Sequence, residues 1–547
     1  MTTWRRPVTL IGLALVPVAV LGVFFVLPVS GMVARGFWPD GDFAPGEVLD
    51  VLTRPRTGRV VWFTVWSAGV ATLLAVAVGL PAAYVLHRLD FPLRRAVRAA
   101  LLVPFVLPTV VVGVAFRQLL GEAGPLGFLG LDGTPVAILA GLVFFNAAVV
   151  IRAVGASWES MDARPAEAAA ALGASPRQVF LTVTLPSLRP AIVSAASVVF
   201  LFCATSFGVV LTLGGTQYSS VETEIYLLTT DLLDLPGAAA LSIVQLVAVV
   251  VLLAIAGRLR ASADPSIVRV PARPRRPRRS DLGQLVATGL LLVFVAAPLV
   301  TLLVGSLQVG DAWSLDNYRA LTTTGSQQAL LVPVTEALAT SLRTAVDATW
   351  MSLSLGLLVA LAVTRRWRSR AERRIRGLLD GFFMLPLGVS AATLGFGFLI
   401  TLDSPPLDLR DSPLLVPLAQ ALVALPLVVR TLVPVLDGID DRQRQAAASL
   451  GAGPLRAVMT VDLPVLWKPL VAASGFAFAA SLGEFGATAF LARDDHPTLP
   501  VVIFRLIGHP GAMNYGMALA ASVVLAVTTA VVMAAVERLR VPSLGAI

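Results

Sequence analysis

The chain has 547 residues, 56% of them hydrophobic and only 14% charged, with a mean hydropathy of +0.83. A soluble chain would carry about 25% charged residues, so the composition excludes a soluble globular protein and indicates a polytopic membrane protein. The net charge of +9 comes mostly from arginines set between apolar runs; these read as topology signals, whereas a nucleic-acid-binding domain would gather its basic residues among aromatics on a soluble face.

The apolar runs are continuous and rich in Ala, Leu and Val. Many reach about 20 residues, enough to cross a hydrocarbon core as helices, and they lack the alternation of barrel strands. The expected fold is all-α and polytopic, with about 12 transmembrane helices as two tandem six-helix repeats. A first half, 1–257, holds spans at 8–33, 60–86, 100–120, 135–154, 190–213 and 238–257. Its first run follows Trp4-Arg5-Arg6 and is too long for a signal-peptide core, so it reads as a retained anchor. A Pro/Arg-rich segment, 258–282, then reads as an extended, self-repelling linker. The second half, 283–547, holds spans at 283–306, 341–363, 379–400, 413–433, 469–491 and 514–536.

Arginine bias sets the orientation. Arg5, Arg6, Arg88, Arg94, Arg95, Arg98, the arginines of 365–376, Arg538 and Arg540 fall on one side, which is expected to be cytoplasmic, with both termini there. The opposite loops are more acidic, with Glu222, Glu224, Asp231 and Asp234, and with Asp403, Asp408 and Asp411. The single cysteine, Cys203, lies in an apolar run and the three histidines are scattered, so neither an internal disulfide nor a metal site is expected. No nucleophile–base constellation suggests catalysis.

Two polar stretches repeat 278 residues apart: DARPAEAAAALGASPRQVFLTVTLP from Asp162 and DDRQRQAAASLGAGPLRAVMTVDLP from Asp440. The same offset relates Pro108 to Pro386, Arg152 to Arg430 and Phe207-Gly208 to Phe485-Gly486, which argues for a fused duplication with both halves inserted the same way. In each stretch an Asp is placed to cap an alanine-rich helix, and Gly173 or Gly451 to supply a left-handed exit. A second short helix is expected to lead to Pro186 or Pro464, just before the next span. The product is a slim helix–turn–helix knob, suited to docking in a cleft on another protein.

The two stretches, within 155–189 and 434–468, resemble the EAA loop of ABC importer permeases. The first fits with Glu167, Ala168, Ala169, Gly173, Val183, Leu185 and Pro186. The second fits with Ala446, Ala447, Gly451, Val461, Leu463 and Pro464 but has Gln445 in place of the usual glutamate. The resemblance implies a type I importer transmembrane domain in the bacterial cytoplasmic membrane. It further implies that each knob sits on an ABC ATPase subunit, two copies in all, and that a substrate-binding protein works from outside, with membrane lipid around the spans. This chain has no GxxxxGK[ST] loop, so ATP and Mg are expected on the separate ATPase subunit, and the chain needs no cofactor and no nucleic acid. Residues 202–226 and 481–500 are similar to fused thiamine permeases and, next, to ferric-iron permeases.

Glu484 is an intramembrane carboxylate and so a candidate pathway or gate residue. A similar GEFG stretch also occurs in permeases for molybdate and sulfate, so Glu484 is expected to serve a gate or packing role through backbone hydrogen bonds instead of reading cargo charge. Its repeat partner is Ser206. Phe207 and Phe485 are candidates for a hydrophobic constriction. A rival reading, a twelve-span secondary transporter, would need more intramembrane ionisable residues to carry a coupling ion and leaves the two knobs unexplained.

Overall fold

The computed structural model of the chain describes residues 14–38, 41–215, 217–260, 274–310, 312–364, 370–403 and 407–539. Its principal helices, in chain order, are α1 (Ala14–Phe37), α2 (Pro55–Arg88), α3 (Thr109–Leu120), α4 (Pro135–Glu159), α5 (Arg164–Ala171), α6 (Pro176–Ala204), α7 (Gly208–Leu213), α8 (Val221–Thr230) and α9 (Leu235–Arg260). The second set is α10 (Arg279–Ser306), α11 (Val334–Thr364), α12 (Ala391–Thr401), α13 (Leu415–Asp437), α14 (Asp441–Ser449), α15 (Leu455–Leu482), α16 (Gly486–Leu491), α17 (Leu499–Gly508) and α18 (Ala512–Leu539). Among the described residues, ten helices are long and apolar enough to cross a membrane. The N-terminus, the linker over 261–273 and the arginines at 365, 366, 368 and 540 lie outside the described residues.

The other two expected spans, 100–120 and 379–400, are broken. In the first half Pro104 sits in a 3-10 turn, Val103–Val106, and the chain turns by 107° before α3. Leu107 is extended, at ψ 140°, because the residue before a proline cannot stay helical without clash. In the second half the 3-10 turn is Leu385–Gly388, and Ser390 caps α12 by accepting from the Thr393 N–H at 3.0 Å. Pro386 therefore corresponds to Pro104, four residues from the Pro108 that the constant offset picks out, so the 278-residue register slips by four across this span and recovers by α4 and α13.

The expected spans 190–213 and 469–491 are also interrupted. Each helix stops, at Ala204 or Leu482, and restarts as a six-residue helix at Gly208 or Gly486. Each then leads to a helix absent from the sequence reading, α8 or α17, again 278 apart. Glu222 and Glu224 therefore lie buried on α8 and do not belong to an open acidic loop. The cause is local: Val221, Ile225 and Leu228 share an apolar face, and Ser220 with Thr223 forms a capping box.

The halves interlock. In the first half α2 packs on α4 and α4 on α6; in the second, α11 packs on α13 and α13 on α15. The first helix of each set crosses over: α1 packs against α12, and α10 against α2 and α3. Close approach is bought with glycine: a side chain at Gly113 would collide with Thr212, and a Cβ at Gly395 would sit 2.7 Å from the Ala487 Cα. The end of the linker is docked and not merely extended. The Arg275 N–H donates to the Arg88 carbonyl at 3.0 Å, and its guanidinium meets Asp281 at 2.8 Å and the Tyr84 hydroxyl at 2.9 Å. The Asp281 carboxylate holds the Arg275 pKa above its usual value.

Candidate functional site

Both knobs form. The Asp162 and Asp440 carboxylates each accept the backbone N–H two residues on, at 3.0 Å, where α5 and α14 begin. The exits are left-handed, with φ +88° at Gly173 and +82° at Gly451. In each, the N–H three residues past the helix reaches back to close the turn, Ala174 to Ala169 at 3.1 Å and Ala452 to Ala447 at 3.0 Å. Glu167, Ala168, Gln445 and Ala446 are exposed, and Ala169 and Ala447 are half-buried. At the tips, Leu172 and Leu450 are each 89% exposed.

The second arm of each knob is not a separate short helix. It runs through a π-helical turn, Phe180–Thr184 or Val458–Asp462, straight into the membrane span. Pro186 and Pro464 stand just after these turns, and the wider turn makes room for a ring that would clash with the preceding carbonyl in a regular helix. α6 is thus a rod of 29 residues, about 43 Å long at 1.5 Å per residue, from knob to break. The second knob carries a brace that the first lacks. Arg444 Nε meets the fully buried Asp462 at 2.7 Å and Nη1 meets Asp441 at 3.1 Å, whereas the repeat positions of Arg444 and Asp462 hold Ala166 and Thr184.

At the far ends of the two rods the halves meet. The Phe207 and Phe485 rings, from equivalent repeat positions, lie 5.2 Å apart and buried. Each is backed by a ring from the next helix of its own half: Tyr226 on Phe207 and Phe504 on Phe485, both at 5.4 Å. Tyr226 and Phe504 are themselves 278 apart. They escaped the sequence reading because α8 and α17 did. Phe490 adds a fifth ring, 5.3 Å from Tyr226 and 6.4 Å from Phe207. A cavity of about 330 Å³ lies beside this plug, walled by Phe490, Asp403, Arg410, Arg493 and Asp494.

Ser206 and Glu484 are both buried in the helix breaks. The Glu484 carboxylate accepts the Ala487 N–H at 2.7 Å and the Thr488 N–H at 3.1 Å, so it caps α16. Ser206 offers its carbonyl to the Ser220 hydroxyl at 3.5 Å. The two knobs and the aromatic plug are therefore not one site; the helical rods α6 and α15 join each knob to the plug.

The profile of the family described as "binding-protein-dependent transport system inner membrane component" matches this chain twice, over residues 75–269 and 352–540. The chain belongs to this family. It is an ABC importer permease in fused two-half form. The permease is 29% identical to the thiamine transport system permease protein ThiP of Brucella abortus (strain 2308) over 469 residues, 82% of each chain. It is also 29% identical to the protein of that name in Escherichia coli (strain K12), over 82% of this chain and 83% of the relative. It is 32% identical to the molybdenum transport system permease protein ModB of Mycobacterium bovis over 43% of this chain and 90% of that shorter protein. The secondary-transporter reading is set aside, since the matching family is one of binding-protein-dependent transport and covers both halves.

Proposed function

We propose that this permease carries thiamine inward across the bacterial cytoplasmic membrane, driven by a separate ABC ATPase. The observation that carries the cargo is the similarity to thiamine permeases along 82% of both chains, a fused match that the single-half molybdenum relative does not offer. In this reading the knob face is cytoplasmic, with both termini, and one ATPase subunit seats each knob. Leu172 and Leu450, uncovered in the chain alone, are the apolar tips that such a cleft would bury. The permease itself performs no hydrolysis. Closure of the ATPase pair draws the knobs together, the rods α6 and α15 turn with them, and the Phe207–Phe485 contact at their far ends parts. Glu484 holds the restart of α16 in shape while this happens. A thiamine-loaded binding protein delivers cargo from the outer face.

The test is uptake of radiolabelled thiamine into proteoliposomes holding the full chain with its ATPase and binding protein. The expected result is uptake that needs both ATP and the binding protein. Uptake of ferric iron under the same conditions, with none of thiamine, overturns the cargo assignment in favour of the iron-permease resemblance.

A further inference from the structure

Five carboxylates are buried among the described residues: Glu222, Glu224, Asp281, Asp462 and Glu484. Four have strong compensation. Glu224 is gripped by the Arg56 guanidinium at 2.5 and 3.0 Å, Asp281 by Arg275 at 2.8 Å, Asp462 by Arg444 at 2.7 Å, and Glu484 by two backbone N–H groups. Glu222 is different. It is 0% exposed, and its hydrogen-bond donors are neutral: the Gln245 amide at 2.8 Å and the Ser390 hydroxyl at 2.6 Å. Gln245 belongs to the first half, and Ser390 caps α12 in the second. Glu222 therefore sits on the seam between halves, with one of its two neutral donors on each side of it.

Its neighbours bear on what the carboxylate can hold. Glu222 and Tyr226 are four residues apart on α8, so they share a face. The Tyr226 ring packs edge-on against Phe207 and Phe490. A carboxylate one helical turn from clustered aromatic faces is the arrangement that holds an organic cation, with an ion pair on one side and cation–π contact on the other. An anion is repelled there. The second half has no counterpart, since the repeat positions of Glu222 and Tyr226 are Pro500 and Phe504.

We propose that Glu222, with Tyr226 and Phe207, forms a single cation-selective waypoint on the translocation path, exposed as the halves part and occupied by the positively charged ring of the cargo. This rests on the thiamine reading, thiamine being an organic cation. Parting of the seam takes Ser390 from the carboxylate and so raises the cost of leaving it uncompensated. The arriving cation offsets that cost, and re-closure of the seam restores Ser390 and releases the cation.

The test uses the full chain with its ATPase and binding protein in proteoliposomes, with radiolabelled thiamine as probe. E222Q keeps the side-chain shape and an acceptor for Ser390 but removes the charge; E222D keeps the charge at shorter reach. The expected result is about a tenfold loss of uptake in E222Q and a loss of no more than about threefold in E222D, with ATPase stimulation by loaded binding protein retained in both. A structural role gives the reverse order, E222Q near wild type and E222D impaired, and that result overturns the proposal. Y226L, which leaves Glu222 in place, is expected to lower uptake by about threefold or more through loss of the ring face, and wild-type uptake in Y226L also overturns it. A wild-type chain that takes up no thiamine overturns the cargo reading instead, whereas wild-type uptake matched by E222Q overturns the waypoint alone.

Discussion

At the scale of single residues, the glycines of the two knobs carry the sharpest demand. A left-handed φ of +88° at Gly173 and +82° at Gly451 is open to glycine and strained for a β-branched side chain. Nothing crowds either position, as a Cβ there would meet no atom within 4 Å. Substitution therefore acts through the backbone, at a cost on the order of 1–2 kcal/mol per site. The double variant G173V/G451V is expected to stay in the membrane at near wild-type abundance while ATP-driven uptake falls by about tenfold or more; immunoblotting of membranes alongside uptake reads both, and undiminished uptake would contradict the coupling role of the turns. These glycines were legible in the sequence because the Leu-Gly exit repeats. Glu484 was legible as an intramembrane carboxylate that bonds to neighbouring backbone, but not as the cap of a particular helix. Its cap on α16 needed the helix break, which no periodicity announces. Glu222 was misread as a loop acid, since nothing in its immediate sequence reveals that Ser390, 168 residues away, reaches it.

At the scale of elements, the two knobs share a backbone but differ in bracing. The sequence contrast of Glu167 with Gln445 is an exposed one. The structural contrast lies deeper: Arg444 ties the start of the second knob to the buried Asp462 at its far end, and also reaches the Leu436 carbonyl at 3.3 Å. Removing one partner of a buried ion pair costs about 3–5 kcal/mol. R444A is therefore expected to loosen the second knob while leaving the first intact. Hydrogen exchange should rise in Asp441–Ser449 and stay unchanged in Arg164–Ala171; equal rises in both would refute the brace. Continuity of each knob with its span was hidden at the sequence level by Pro186 and Pro464. Prolines read as punctuation, and here a π-turn lets the helix pass through them.

At the scale of the whole molecule, the crossing over of α1 and α10 means that neither half is a free-standing unit. The aromatic plug is where equivalent side chains of the two halves meet directly, Phe207 on Phe485. With Cys203 replaced by alanine, the pair F207C/F485C should be bridged in the resting protein by a short bis-methanethiosulfonate cross-linker, which spans the space of the two native rings, buried with centres 5.2 Å apart. Cross-linking is expected to abolish uptake and reduction to restore it. Full uptake with the cross-link intact would show that cargo does not pass between these residues.

The sequence by itself determined the membrane class, the doubled architecture and the two repeated knobs. These follow from composition, from runs long enough to span lipid and from a repeat with one offset, all local or periodic signals. Only the tertiary structure decided where helices break, that Phe207 meets Phe485 and that Glu222 bridges the seam. The reason is physical. In lipid, hydrophobicity is shared by nearly every residue of a span and so says little about which face meets which, and contacts between residues hundreds of positions apart are set by close packing, small residues and the few polar groups that must find partners.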